Sequence, residues 1–335
     1  GNSRLIVNSQ FTQNSNAAYM QHQLSLLDDR LQLSASGRWQ AFSLHTPAFD
    51  MRGVRNPYLG LQTVSPPRAL TGDVSLAYFV RTTGTKLRAH LGNSYRAPSL
   101  YERFSGGFFA NPATGDASFT PYGDPRLGPD RYNSYDYGVD QYLFRERVRL
   151  SATHFYVRTK QLIIFDFSGL IRAATDPFGR SSGYAMGPGG INRGAELAIE
   201  ARPGRSTVVS GSYTFVNANT DRDSVITGFF RALNVPRHTA SFVVTQRVGP
   251  RFDVTFDLFR SGMHYINYFA GTRSRAFEFP AYTKADLVAS YKLWMADRRT
   301  ARVFFKADNV LNRTYYENGT LNPRLWAIAG VSVSF

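Results

Sequence analysis

Apolar and polar residues alternate along much of this chain with a period of two. Leu31, Leu33, Ala35, Gly37, Trp39 and Ala41 form one row against Gln32, Ser34, Ser36, Arg38 and Gln40. Leu87, Ala89 and Leu91 stand against Lys86, Arg88 and His90, and Phe252, Val254, Phe256 and Leu258 against Arg251, Asp253, Thr255 and Asp257. Ala195, Leu197, Ile199 and Ala201 oppose Glu196 and Glu200, and Ala285, Leu287, Ala289, Tyr291 and Leu293 oppose Lys284, Asp286, Ser290 and Lys292. Successive side chains of a strand point to opposite faces, so each stretch predicts a strand with one greasy face and one often charged face. The last stretch, Leu325 to Phe335, alternates over about 11 residues, the length a tilted strand needs to cross a bilayer.

About 13 such strands are predicted, and their connections alternate in length. Tight links fall at Asp28-Asp29-Arg30, Thr83-Gly84, Arg145-Glu146-Arg147, Pro203-Gly204, Gly249-Pro250 and Ala296 to Thr300. Between them lie long ones: His45 to Gly72, Ala97 to Gly128, Ser168 to Gly190, Asn217 to Pro236 and Phe269 to Phe279. A soluble sandwich also alternates, but it has no reason to sort its loops by parity. The pattern predicts an all-β fold, a transmembrane antiparallel β-barrel with short periplasmic turns, long extracellular loops and Phe335 at the periplasmic rim.

Composition agrees and narrows the class. Hydrophobic residues are 43% of the chain, and no apolar run is long enough for a transmembrane helix. Aromatics reach 14%, with 19 Tyr and 26 Phe, which suits strands and interfacial belts. With no Cys, nothing here depends on disulfides or thiolate ligands. The net charge of +15 comes from basic residues scattered singly along alternating segments, not gathered in a stripe, so nucleic acid is not an expected partner. In a barrel such residues face a polar lumen or meet anionic lipid at a rim, which makes outer-membrane lipid and lipopolysaccharide expected partners. The chain begins Gly-Asn-Ser-Arg without a visible signal peptide, so one has been removed or the true start lies upstream.

Three motifs sharpen the reading. Ser94-Tyr95-Arg96-Ala97-Pro98-Ser99-Leu100-Tyr101-Glu102 leaves a strand for the longest loop. Gly123-Asp124-Pro125-Arg126-Leu127-Gly128-Pro129-Asp130 enters the next strand, and Lys306-Ala307-Asp308-Asn309-Val310-Leu311-Asn312-Arg313-Thr314-Tyr315-Tyr316 precedes a last strand ending on Phe335. In this order they resemble the TonB-dependent outer-membrane receptors of Gram-negative bacteria over essentially the whole chain. Departures are Asp124 where the family more often has Asn, and Gly128 and Asp130 for its common Lys and Glu. That family closes a 22-stranded barrel around a plug. The resemblance therefore implies that residues 1–335 are the C-terminal part of such a barrel, about 13 of its 22 strands, without the plug and the early strands. The intact protein would take up a metal chelate, most often a ferric siderophore, powered by the TonB complex through the plug, and Phe335 would be read by the barrel-assembly machinery.

Candidate residues follow from these motifs. Arg96 shares a row with Lys86, Arg88 and His90 and should face the lumen, to meet a plug, an anionic ligand or a wall carboxylate. Tyr101, Phe108, Phe109 and Tyr122 crowd the loop after Arg96, and Phe229 and Phe230 crowd a later one. With Arg103, Arg172, Arg180 and Arg231 they would suit a planar or anionic chelate by stacking and charge-assisted bonds. Tyr95, Ala97, Pro98, Pro125, Leu127, Asp308, Asn309, Asn312, Tyr315 and Phe335 are read as folding positions, with Asp308 and Asn309 on opposite faces of one strand. No resident metal, cofactor or catalytic residue is expected, since no Gly-x-Ser-x-Gly elbow or His-Glu-x-x-His motif occurs. No His falls between Pro98 and Gly123, where haem receptors of this family usually place an iron ligand. The alternatives are a passive porin-like channel, or a TonB-dependent receptor for cobalamin, haem or a carbohydrate.

Overall fold

The computed structural model describes residues 7–51, 54–110, 113–114, 117–166, 171–220, 234–270, 273–296, 299–317 and 319–334. Thirteen strands form one antiparallel sheet in which each pairs with its neighbours in chain order. They are β1 (Gln13–Leu26), β2 (Leu31–Leu44), β3 (Ala69–Val80), β4 (Thr85–Arg96), β5 (Asp130–Leu143), β6 (Val148–Asp166), β7 (Gly183–Ala201), β8 (Thr207–Thr220), β9 (His238–Val248), β10 (Phe252–Ser261), β11 (Tyr282–Ala296), β12 (Arg299–Asp308) and β13 (Trp326–Ser334). This is the predicted meander, and its connections alternate short and long without exception.

The short links are true tight turns. Leu27, Asp28 and Asp29, and likewise Phe144, Arg145 and Glu146, take positive φ, which turns the chain within a few residues. Gly84 (φ +65°) sits where an added Cβ would lie 2.7 Å from the Tyr142 carbonyl oxygen, so only glycine fits there. The long links carry structure of their own: a short helix α1 (Leu100–Phe104) and the hairpins Gly106–Ala110/Ala117–Pro121 and His264–Ala270/Arg273–Phe279. Residues 309–325 add a sixth long connection at the same end, one that the alternation in the sequence did not single out.

The strand register sorts charge onto one face. Asp140, 2% exposed, meets Arg88 at 3.4 Å and Arg149 at 3.4 Å, and Arg149 reaches on to Glu200 at 3.3 Å. His90 pairs with Asp136 at 3.0 Å, Arg247 and Lys292 share Asp253, and Ser36 donates to Asp73. The opposite face is apolar and open, with Leu70 75%, Leu91 61% and Val331 67% exposed. An apolar area this broad is covered in a stable protein. Among the described residues β1 and β13 each pair along one edge only. Among the described residues the buried aromatic and apolar side chains Tyr58, Phe104, Leu127 and Phe178 gather at the long-loop end.

Candidate ligand site in the loop assembly

The loop assembly starts where β4 ends. Ser99 caps α1 by accepting the Glu102 amide at 3.1 Å, while the Glu102 carboxylate accepts the Ser99 amide at 2.7 Å, a complete capping box. Glu102 also takes Nη1 of Arg96 at 2.9 Å, and Arg96 Nε donates to Asp130 at 2.6 Å. Of the three readings of Arg96, the geometry supplies the wall ion pair. Asp130, fully buried, accepts the Ile163 amide at 2.7 Å with its other oxygen and so ties β4, β5 and β6 together. Tyr95 donates its hydroxyl to the Pro67 carbonyl at 2.7 Å. Pro98 is buried beside the helix cap, and Ala97 is half-buried in the same turn.

The short helix turns Phe104 and Arg103 inward and leaves Tyr101 67% exposed, edge-on to Tyr184. The expectation that Arg103 meets ligand is corrected here. It is 2% exposed, donates from Nε to the Pro125 carbonyl at 3.0 Å and from Nη2 to the Val64 carbonyl at 2.6 Å, and so serves the loop backbone. Burial pulls its pKa down, the nearby Asp124 charge opposing that shift. Arg180 is equally buried and bridges two carboxylates, Asp124 at 2.9 Å and Asp176 at 2.8 Å, while Nη1 donates to the Gly123 and Tyr184 carbonyls.

Asp124 and Asp176 are each built for that partner. Burial pushes Asp124 up, but the side chain and amide of Arg126 together with Arg180 hold it below the usual carboxylate range. Asp176, raised by burial and lowered more by Arg180 and the amides of Arg180 and Phe178, also lies below it. Tyr58 donates to the Gly123 carbonyl at 2.8 Å and packs among Phe49, Phe104, Phe119 and Phe178; burial pushes its phenol up. At Gly123 an added Cβ would lie 2.4 Å from the Arg103 carbonyl carbon, which explains a glycine before Asp124.

A cleft of about 450 Å³ opens beside this knot. Arg126, Leu127, Arg172, Thr175, Ala185 and Met186 are among its lining residues. Arg126 and Arg172 are exposed there, and Arg126 lies over the Phe178 ring at 5.3 Å. The cleft has Arg172 pointing outward and Arg126 already bidentate to Asp124 at 2.9 and 2.8 Å, on a floor that also carries Asp176 and Arg180, so Arg172 is the guanidinium placed to take an anionic group by charge-assisted hydrogen bonds. Arg172 was singled out in the sequence; Arg126, Tyr58 and Asp176 were not. The turn signature Asp176-Pro177-Phe178-Gly179-Arg180 was available as a signal for the last of these.

The other candidates distribute as follows. Tyr122 packs against Phe165 at 5.9 Å, Pro125 lends its carbonyl to Arg103, and Leu127 is buried. Phe108 and Phe109 fall in the hairpin strand Gly106–Ala110, and their side chains lie outside the described residues, as do Phe229, Phe230, Arg231 and Phe335. The 308–316 motif lies in another long connection, and one detail differs from expectation: β12 stops at Asp308, and Asn309 belongs to the turn, not the strand. Asn309 takes φ +53°, is 2% exposed, donates to the Arg313 carbonyl at 2.7 Å and accepts the Arg313 amide at 3.1 Å. Asn312 also takes φ +53° and accepts the Leu325 amide at 3.3 Å, and Tyr315 stacks on Tyr282 at 4.7 Å.

Comparison with known proteins fits this geometry. A family model described as TonB dependent receptor-like, beta-barrel matches residues 2–310. The metal-pseudopaline receptor CntO of Pseudomonas aeruginosa strain UCBPP-PA14 is 28% identical over 230 residues, covering 67% of this chain and 30% of that protein. The siderophore receptor PirA of Acinetobacter baumannii superposes with a TM-score of 0.66 at 15% identity, over 96% of this chain and 45% of that one. The copper transporter OprC gives a TM-score of 0.68 at 14% identity, over 95% and 47%. At these identities the structures share the fold, and this chain spans less than half of each relative.

Proposed function

The chain belongs to the TonB-dependent receptor family, and from that premise we propose that it forms most of the barrel wall and several outer loops of an outer-membrane transporter for a metal chelate, most simply a ferric siderophore. The observation that carries the reading is the family match over residues 2–310; a relative named as a metal-pseudopaline receptor supports the metal-chelate class. On this reading the apolar face meets lipid, the charged face lines the lumen, tight turns are periplasmic and the loop assembly is extracellular. The cleft beside Arg172 receives part of an anionic chelate. Transport is driven by the TonB complex through a plug, and the closing strand is handed to the barrel-assembly machinery.

The test is uptake in cells starved of iron and other transition metals. Deleting the gene should abolish accumulation of at least one radiolabelled metal chelate, and R172A should weaken its binding to the purified receptor about tenfold, the loss of one charged contact of about 1.4 kcal/mol. Unchanged uptake of every ferric siderophore, metallophore complex and cobalamin supplied would sink the substrate class.

A further inference from the structure

The charge pairing on the inner face of the wall leaves one cation over, at the end opposite the loop assembly. Two hollows adjoin on the charged face between β1 and β5, one of about 250 Å³ and one of about 330 Å³. Gln32, Ala77 and Lys86 line both and so mark where they meet. The first also takes in Gln23, Ser34, Ser75 and His90, and the second reaches the tight turns through Asp29, Arg30 and Glu146. Register explains the space. Gln32 opposes Ala77, Ala77 opposes Arg88 and Ser75 opposes His90, so β3 places only short side chains between the long ones of β2 and β4.

Lys86 is left over because its neighbours are engaged elsewhere. Asp140 stands directly opposite it in register, yet Asp140 is taken by Arg88 and Arg149, each at 3.4 Å. Arg88 leans across β5 to reach it and donates onward to Ser151 at 3.1 Å. Gly138 makes room for that crossing, since an added Cβ would lie 3.1 Å from the guanidinium carbon. The carboxylate of the first hollow, Asp136, is held by His90 at 3.0 Å. Half-buried Lys86 forms no ion pair among the described residues, and Gln23, Gln32, Ser34 and Ser75 set amide and hydroxyl donors beside it. An ammonium ringed by neutral donors suits an oxyanion of the carboxylate type. The second hollow differs, because Asp29 and Glu146 there offset Arg30.

We propose that the first hollow is a second station for an anionic chelate, on the exit side of the lumen. Lys86 holds a carboxylate or similar oxyanion arm there before release past the second hollow. Conduction needs a stopping place favourable enough to enter and weak enough to leave. One ammonium with neutral donors supplies the first property. The carboxylates of Asp29 and Glu146 supply the second, since they leave the next hollow without the positive surplus that would retain an anion. The inference rests on the reading of this chain as the wall of a chelate transporter.

The test has one arm on the site and one on transport. Residues 1–335 contain no Cys, so S75C adds a single thiol to the first hollow of the full-length receptor, read against the unsubstituted receptor in detergent. A sulfonate-bearing methanethiosulfonate should modify it about tenfold faster than a trimethylammonium-bearing one, each rate scaled to a free thiol. K86Q should erase that preference and K86R should keep it. In iron-starved cells, radioactive iron is supplied as ferric citrate, an anionic ferric tricatecholate or a neutral ferric trihydroxamate. For each complex whose uptake needs the gene, K86Q should leave binding to de-energised cells unchanged. It should slow uptake of the anionic complexes severalfold and spare the trihydroxamate. Equal reaction with both reagents, or none with either, overturns the anion site. A reagent preference with unchanged uptake assigns the site to a periplasmic anion and overturns the transit role. If no complex depends on the gene, the chelate reading fails, while the thiol rates still decide the site.

Discussion

Three of the long connections are held by two different kinds of physics. Over β4 to β7 the knot is ionic: Arg180 lies between Asp124 and Asp176, Arg126 doubles the contact to Asp124, and Arg96 locks Asp130 to Glu102. Between β12 and β13 the knot is conformational. Asn309 and Asn312 occupy left-handed backbone, and the amide of Asn309 ties residues 309, 313 and 323 together by hydrogen bonds to main chain. The first arrangement leaves charged groups beside an open cleft, the second buries its polar atoms in the turn. An ionic knot can share its arginines with a ligand, whereas a backbone knot only sets where the chain goes.

Breaking the ionic knot should give the largest effect. R180M would leave Asp124 and Asp176 facing each other without their buried cation, a change that costs about 3–5 kcal/mol when one member of a buried pair is removed. Hydrogen exchange on the receptor should show residues 97–129 and 171–182 losing protection while residues 309–325 keep theirs. Uniform loss of protection would mean that the two knots are one cooperative unit.

Acid should separate the two knots next. Asp124 and Asp176 both have folded pKa values below their unfolded ones, so their stabilisation is complete above the unfolded carboxylate value of about 4 and is lost as pH falls through the folded values. Limited proteolysis between pH 6 and pH 3 should therefore open the 97–129 loop at the acid end. The 309–325 turn is held mostly by amide–carbonyl bonds, with carboxylate acceptors at Asp286 for the Asn309 amide (2.7 Å) and at Glu317 for the Tyr282 hydroxyl (3.1 Å), so its cleavage should rise less over the same range. Asn309→Ala should act in the opposite sense, costing that turn about 1–3 kcal/mol through unsatisfied buried partners and leaving the acid response of the first knot unchanged.

The same contrast explains what could be read from the sequence. Strand alternation and loop parity predicted the thirteen-strand meander because each depends on local period and length alone. Arg96 was placed correctly on the charged face because a row position also follows from period. Arg103 and Arg180 were read as ligand groups on residue type, yet both are buried, since whether an arginine turns in or out depends also on distant partners such as the Pro125 carbonyl, 22 residues from Arg103, and the Asp124 carboxylate, 56 from Arg180. Asn309 was assigned to the strand because a positive φ leaves no trace in hydrophobic pattern.

The smallest effect tests whether the second knot is held by conformation or by side-chain bonds. Asn312 differs from Asn309 in having one long bond, to the Leu325 amide at 3.3 Å, in an exposed setting. Its main role is then to hold φ at +53°, which asparagine tolerates and glycine adopts freely. Asn312→Gly removes the bond but keeps the backbone accessible, so stability should change by no more than about 0.5 kcal/mol. Asn312→Ala removes the same bond and adds the left-handed penalty of about 1–2 kcal/mol. Local exchange rates of residues 309–325 should therefore rise for the Ala variant and stay near wild type for Gly. Equal effects of the two would make the hydrogen bond, not the backbone, the element that holds the turn.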